Sequence, residues 1–594
     1  MQLRSSNTSA VFTLPDPGEL NKRIKLRQRI DQAAADYGVE PVYQNEMDVW
    51  AKVRQVGATT FHESIQADDI ITHYITIRFR HGITSDFEVL FGGNIYRVKR
   101  LRDLNSAVRV PLFWAEMDAS QANSASSSSP ALLIGTVATT ATVLKNALTI
   151  MPSADLAGKI CGFGSQLHRM VKRYRAIDPF GELWILAVGE STGAQAAGSV
   201  VIAGTAQASG TLSLYIGVER VQAAVVIGDE AADVAATLAA AINANTSLPV
   251  TATATDGTVS VKARHKGLTG NDIPLMLNYY GTVGGETTPD GITVTITALS
   301  GGTGSPDLTD TIAAMGDEPF DFIGLPFSDS ASLATMALEM NDGSGRWSYA
   351  RQLYGHVYTA KTGTLSDLVA FGDTMNNQHI TVAGYEVSTQ TCCDELVAMR
   401  TARNAVFIRN DPARPTQTGE LTGALSAPKG TRFILSEQQS LLTHGIATAY
   451  AESGVLRIQR DITTYQQNSY GVADDSYLDS ETLHTSAYVL RELKSVITSK
   501  YPRHKLANDG TRFGDGQAVV TPAVIKGEMC SVYKQMERSA IVENFDLFKT
   551  YLVVERNADN PNRVDVLFPP DYVNQLRVFA LVNQFRLQYS EESE

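Results

Sequence analysis

The stretch Gly162-Phe163-Gly164-Ser165 is the one that most invites a phosphate-binding reading, because glycines let backbone N–H groups close on an anion at a helix N-terminus. No Lys-Ser/Thr follows in P-loop register, and the third glycine of a dinucleotide fingerprint is missing, so the same residues read as a helix N-cap. The ten histidines are scattered, with neither H-x-x-x-H nor H-E-x-x-H spacing, so local spacing offers no metal site. They are expected at the surface or as satisfied polar groups. Asp474, Asp475 and Asp479 crowd a short segment but lack the glycine and terminal glutamate of a calcium loop, and read as turn-forming carboxylates. No G-x-S-x-G elbow occurs, and none of Cys161, Cys392, Cys393 and Cys530 sits in a known nucleophile context. No cofactor and no enzymatic activity are expected. Arg503, His504, Lys505 and Arg512 form a basic loop, either a solvated turn or a contact to an acidic patch on a neighbouring subunit.

Chemistry being absent, interaction becomes the leading theme. The 594 residues exceed what one ordinary core holds, so three or four domains are expected. With 43% hydrophobic and 19% charged residues the chain reads as globular with a rather uncharged surface, suited to protein contact. A net charge of −13 argues against nucleic acid as a partner. The cysteines show no C-x-x-C spacing and read as free thiols of a reducing compartment. Neither a signal peptide nor a run of about 20 apolar residues is present, so membrane insertion is not expected and a cytoplasmic site of synthesis is.

Along the chain, residues 1–105 alternate with period two. In His73-Tyr74-Ile75-Thr76-Ile77-Arg78-Phe79-Arg80 one face carries Ile75, Ile77 and Phe79, as a half-buried antiparallel strand does. Further strands are expected over 48–56, 87–90 and 95–101, with Gly92-Gly93-Asn94 as a hairpin turn, which together make a small barrel or sandwich. Residues 118–130 are a polar, serine-rich linker. A strand over 131–137, a helix over 163–174 and a buried strand over 182–188 follow. Between 193 and 309 the composition shifts to Gly, Ala, Thr and Val; strands over 210–217, 257–263 and 291–298 and a helix over 231–243, with Val234, Leu238 and Ile242 in register, predict an inserted α+β domain. Residues 311–427 alternate helices with apolar strands, a three-layer α/β signature. Ser436-Glu437-Gln438-Gln439 reads as a capping box. Helices are expected over 480–500, with Leu483, Ala487, Leu490, Leu493 and Ile497 on one face, and over 523–542.

The last stretch reads as a strand over 550–556, a turn over 557–562, a return over 564–568 and, after Pro569-Pro570, a final apolar strand over 575–587. An uncovered edge is a template for pairing. That strand closes its own sheet or recruits another chain, and the residues alone leave both open.

Two resemblances bear on this choice. Gly18-Glu19-Leu20-Asn21-Lys22-Arg23-Ile24, Asp48-Val49-Trp50-Ala51-Lys52-Val53, Ile75-Thr76-Ile77-Arg78-Phe79-Arg80-His81-Gly82-Ile83-Thr84 and Asn94-Ile95-Tyr96-Arg97-Val98, in that order, resemble the phage head–tail adaptor, or joining, family. That resemblance implies a small β-barrel in a ring between portal and tail. From about residue 106 onward the chain resembles the contractile tail sheath protein of Mu-type phages. The segments that carry this are Arg109-Val110-Pro111-Leu112-Phe113-Trp114-Ala115-Glu116-Met117-Asp118, Asp178-Pro179-Phe180-Gly181-Glu182-Leu183-Trp184, Asp411-Pro412-Ala413-Arg414-Pro415, 468–479, 503–514 and 560–587. It implies subunits stacked around a tail tube protein, in contact with baseplate and tail terminator, with arms that add strands to neighbours' sheets.

The expected architecture is therefore multidomain. A head–tail adaptor-like β-barrel (1–105), which the first resemblance connects to portal and head-completion proteins, leads into a linker or N-terminal arm (106–130). An α/β three-layer sheath core (131–192 and 310–430) carries an inserted β-rich protrusion domain (193–309). A C-terminal α+β domain (431–594) ends in an exchangeable strand. The expected subunit contacts are Arg109, Leu112, Phe113 and Trp114 in one arm, and Gln575, Leu576, Arg577, Val578, Phe579, Leu581, Val582 and Phe585 in the other. The implied location is the host cytoplasm during assembly and the virion tail thereafter. A connector ring dominated by its first domain and an α/β hydrolase-like enzyme are the alternatives.

Overall fold

The computed structural model describes residues 20–33, 39–55, 73–78, 80, 83–84, 87–98, 129–514 and 516–585. The chain divides into two compact units, Met1–Ala122 and Asn123–Glu594.

In the first unit the strands run in the order His73–Ile77, Val39–Gln55, Lys22–Ala33, Phe87–Phe91, Asn94–Arg97, each antiparallel to its neighbour. Alternation along the strands puts Ile24, Leu26, Val49, Ala51, Phe87 and Val89 on one buried face. Gly92 and Gly93 both have positive φ, which the two-residue turn between the last two strands requires. The rings of His73 and Tyr96, on the two edge strands, lie 4.8 Å apart, so the sheet is strongly curved. Lys22–Ala33, the central strand, is not among the elements read from the sequence.

The second unit is built on an eight-stranded sheet ordered Val455–Arg460, Ile446–Glu452, Ile380–Glu386, His356–Gly363, Phe322–Gly324, Ala131–Thr136, Leu183–Val188, Leu148–Ile150. The six inner strands are parallel and the two outer ones antiparallel to their neighbours. Alternate side chains serve opposite faces. Leu133, Ile185 and Tyr358 meet the helices Ala154–Cys161, Gln166–Ile177 and Cys393–Asn410 on one side. Leu132, Leu186 and Val357 meet Ser330–Met340, Leu365–Gly372 and Leu435–Thr443 on the other, which is a three-layer α/β core.

A domain with its own core interrupts this body. Its four-stranded sheet (Val250–Thr255, Thr258–Lys266, Gln195–Gly204, Ile292–Ser300) and three-stranded sheet (Glu219–Val225, Gly210–Ile216, Leu275–Leu277) share one hydrophobic cluster with the helix Ala231–Ala244. Val234, Leu238 and Ile242 of that helix are fully buried. Polar staples hold the domain to the body: Gln390 Nε2 donates to the Gly217 carbonyl at 2.9 Å and Tyr279 OH to that of Ser426 at 2.8 Å. Arg173 reaches both Glu219, in the inserted domain, and Glu395, in the body.

The C-terminal region packs Ser480–Lys500, Pro522–Arg538 and Phe545–Tyr551 around Tyr533, Phe548 and Val489. Several expectations change here. Thr550 and Tyr551 end a helix rather than open a strand: Asn544, in the left-handed region, turns the chain into it, and Phe548 stacks on Tyr533 at 3.7 Å. Only Val553–Arg556 is strand. The helix expected over 163–174 is Gln166–Ile177, started by Ser165, whose hydroxyl accepts from His168 N. The helix expected to open at Ser436 begins at Leu435, and Glu437 accepts from the Ile434 amide at 2.8 Å. Leu490 lies exposed rather than on the buried face of its helix. His168, His356, His379 and His484 take the second of the two expected placements, buried with polar partners: the Tyr358 hydroxyl lies 2.9 Å from His484 Nε2, and His356 Nε2 lies 2.7 Å from Thr381 Oγ1.

Candidate functional site: the 553–585 segment and its anchor

Val553–Arg556 pairs with Val564–Leu567 as an isolated two-stranded sheet. Its turn is tied by Asn557, whose Oδ1 accepts from the amides of Asp559 (3.0 Å) and Asn560 (2.7 Å), an Asx-type arrangement that supports the tight reversal. Val554 packs toward the C-terminal core, whereas Val553, Val566 and Leu567 are exposed. Two strands alone are marginal in water, and both outer edges of this pair are unpaired among the described residues.

Past Pro570 the chain is strapped to its own body. The Glu543 amide donates to Asp571 O at 2.9 Å and the Val573 amide to Ile541 O at 3.2 Å. Gln575 Nε2 then donates to Ala413 O at 2.9 Å. Arg577 turns inward, its Nη2 lying 3.1 Å from both Asp479 Oδ1 and Glu481 Oε1. Asp479 is also held by a bidentate pair from Arg460 at 2.8 and 2.9 Å.

Glu481 is fully buried, and its Oε1 also accepts from Thr416 N and Oγ1, both at 2.9 Å. Burial pushes this carboxyl above its ordinary range while Arg577 pulls it down. Thr416 Oγ1 lies 3.2 Å from Asp461 Oδ2; Asp461 receives Asn404 at 2.9 Å and pairs with the buried Arg400 at 2.8 Å. One polar chain therefore leads from the heart of the α/β body to the root of the final segment.

The side chains around and beyond Arg577 have the reverse character. Leu576, Val578, Phe579, Leu581, Val582 and Phe585 are between 72% and 82% exposed, and 574–585 has no backbone pairing. The final strand expected over 575–587 is thus not a strand over the described 575–585, because no strand among the described residues pairs with it. A run of large apolar side chains left in water marks an interaction segment.

The structure places Gln575 and Arg577 against the body and the other six named residues of this segment outward. Arg109, Leu112, Phe113 and Trp114 lie outside the described residues. Ala413, Thr416 and Glu481 were missed as anchor points; the signal in the sequence was an acidic pair, Asp479 and Glu481, straddling the start of a helix with an apolar face. Gly164 donates its amide to His168 Nδ1 at 3.1 Å, so the Gly-Phe-Gly-Ser loop spends that donor internally. Asp474 accepts from Ser476 N at 3.0 Å, as a turn carboxylate does. Arg503, His504, Lys505 and Arg512 are exposed, with Lys505 in a short strand paired to Val519. Among the described residues no three His, Cys, Asp or Glu side chains gather as a metal ion needs, and no helix is long and apolar enough to cross a membrane.

Comparison with known families gives the class of protein. Residues 301–464 match the phage tail sheath protein central domain and 472–586 the phage tail sheath C-terminal domain. Residues 15–116 match the phage head completion protein family. Over 492 residues the chain is 36% identical to the Mu-like prophage FluMu tail sheath protein of Haemophilus influenzae, an alignment that covers 82% of this chain and 99% of that protein. The chain belongs to the phage tail sheath protein family. Among solved structures, the sheath tail protein of Desulfitobacterium hafniense aligns at 12% identity and a TM-score of 0.42, over 78% of this chain and 96% of that one. The sheath tail protein of Listeria innocua aligns at 13% and 0.41, over 75% and 92%.

Proposed function

We propose that the chain is a contractile sheath subunit that polymerises around a tail tube protein and whose contraction drives that tube through a host envelope. It is a virion tail component assembled in the host cytoplasm. The observation that carries this reading is the exposed apolar run 576–585 beside a two-stranded hairpin with open edges. A segment of this kind adds a strand to the hairpin of a second copy, supplying directional backbone bonds that persist while rigid bodies rearrange. The segment containing Arg109, Leu112, Phe113 and Trp114 is the other arm of the same mesh. Work is stored as a packing difference between two assembled states, so no catalytic residue or cofactor is required. The tube protein, a baseplate and a tail terminator are the further partners.

The first unit closes as a small β-barrel and faces portal or head-completion proteins, a role supported by its family match and by the contact between its edge strands. That match also favours a second reading, a connector ring dominated by the first unit. Sedimentation and negative-stain microscopy of the purified full chain separate the two. Tubes or long stacked rings support the sheath reading; short rings without filaments support the connector, and a monomer at all concentrations refutes both.

A further inference from the structure

One exposed element outside the 553–585 segment is built with unusual rigidity. The turn Asp178-Pro179-Phe180-Gly181-Glu182 joins the helix Gln166–Ile177 to the strand Leu183–Val188. Asp178 is buried beneath it: Oδ1 accepts from the Gly181 amide at 2.8 Å, and Oδ2 from Tyr174 OH at 2.8 Å and Arg409 Nη1 at 2.5 Å. Arg175 Nη1 clamps both ends by donating to the carbonyls of Asp178 (3.2 Å) and Gly181 (2.7 Å). Burial alone would raise the Asp178 carboxyl, but Arg409, Tyr174 and the Gly181 amide hold it below its ordinary range, so these bonds are charge-assisted at neutral pH. A Cβ on Gly181 would come within 2.0 Å of Arg409 Nη1 and 2.1 Å of Asp178 Oδ2, so only glycine permits the brace. Phe180, at the tip, is 96% exposed.

The brace explains how the helix meets the strand. It does not explain a phenyl ring held in water on a fixed backbone. A single exposed apolar residue is ordinary on a mobile loop; on a preorganised turn it has the makings of an interface anchor, because little ordering cost remains to be met on docking.

Its position indicates the occupant. Arg409, which holds Asp178, also donates from Nε to Ser129 O at 2.8 Å, next to the segment proposed as the first arm. Four residues past Arg409, Ala413 receives Gln575, the root of the second arm. A copy that exchanges either arm with this one must bring its body against this end of the molecule.

We propose that Phe180 is a docking knob that inserts into a second copy of this chain, beside the roots of both arms. The inference rests on the sheath reading and adds to it a rigid contact between bodies, independent of strand exchange.

The test is sedimentation velocity of the full chain and its Phe180→Ala and Phe180→Tyr variants across a concentration series, with a thermal melt of each. Phe180→Ala should melt as the parent does, because the ring touches little of its own chain. Its concentration threshold for assembly should rise on the order of 10- to 100-fold, the value of burying one phenyl ring, and Phe180→Tyr should recover most of it. An unchanged threshold for Phe180→Ala overturns the inference and leaves the sheath reading standing. Normal tubes that fail only to enclose the tube protein also overturn it, by assigning the knob to that partner. If the parent chain does not assemble at all, the sheath reading fails and the inference falls with it.

Discussion

The inserted domain and the C-terminal region both mix helix and strand, yet they finish their sheets in opposite ways. The inserted domain encloses one hydrophobic cluster between two sheets and a helix, and is stapled to the body by Gln390, Tyr279 and Glu219. The C-terminal region leaves a two-stranded hairpin open and sends large apolar side chains into water beyond Arg577. On the sheath reading proposed above, the difference separates a domain completed by its own residues from one left for another copy to complete. Stability should reside in the first kind of contact and assembly in the second.

Damage to the closed domain should have the largest effect on stability. Leu238→Ala should cost about 2–5 kcal/mol, as large-to-small changes at fully buried sites do, read as a lower denaturant midpoint. Assembly at temperatures where the variant stays folded should be unaffected; equal loss of both would erase the distinction.

Acid probes the seam between the body and the helix Ser480–Lys500. His484, stacked on Phe322 and 2.9 Å from the Tyr358 hydroxyl, is pushed down to about 4 by burial, with Asp321 raising and Arg491 lowering it in smaller measure. Its folded value thus lies below the ordinary value near 6.5, and the unfolded chain takes up the proton first. Stability should fall as pH drops from about 6.5 toward 4, by about 3 kcal/mol for this group, and level off once the folded form also titrates. The buried His356 acts in the same sense, and Glu481, raised by burial, in the opposite sense. Denaturant melts against pH should show the slope, and His484→Gln should flatten it.

A smaller effect is expected at the anchor. Arg577→Gln removes the contact with Glu481 but leaves Asp479 its pair with Arg460, and freeing the strap lets water reach the carboxylate. A loss of about 1–3 kcal/mol is expected, with faster hydrogen exchange at the Val573 amide. Smallest in the isolated subunit is the double change Phe579→Ser and Val582→Ser, within about 0.5 kcal/mol because both side chains are exposed. Assembly should nonetheless weaken, which a light-scattering titration would register.

Legibility in the sequence followed locality. The helix Ser480–Lys500 is legible to the residue because Leu483 and Ala487 recur at helical spacing, and the Gly92-Gly93 turn because it needs positive φ. Gln195–Gly204 was missed: its Ala and Gly residues resemble a loop, and it becomes a central strand only through two neighbours. Ala154–Cys161 was missed for its brevity, though Ser153 caps it. The segment 575–585 reads as a strand from its composition, but strand is a property of a pair, and no strand among the described residues pairs with it. Of the anchor only the acidic pair Asp479 and Glu481 is legible, and its partner is not, because Arg577 meets Glu481 across 96 residues of sequence. Burial of His356 and His484 likewise depends on the packing of distant elements.

On the proposed reading, the segment beyond Arg577 serves another copy rather than its own fold. Removing residues 578–594 leaves Gln575 and Arg577 in place, and sedimentation velocity of this shortened chain beside the full one tests the claim most directly. A folded species with an unchanged melt that no longer forms tubes is expected; tubes at the same concentration as the full chain would overturn strand exchange through this segment.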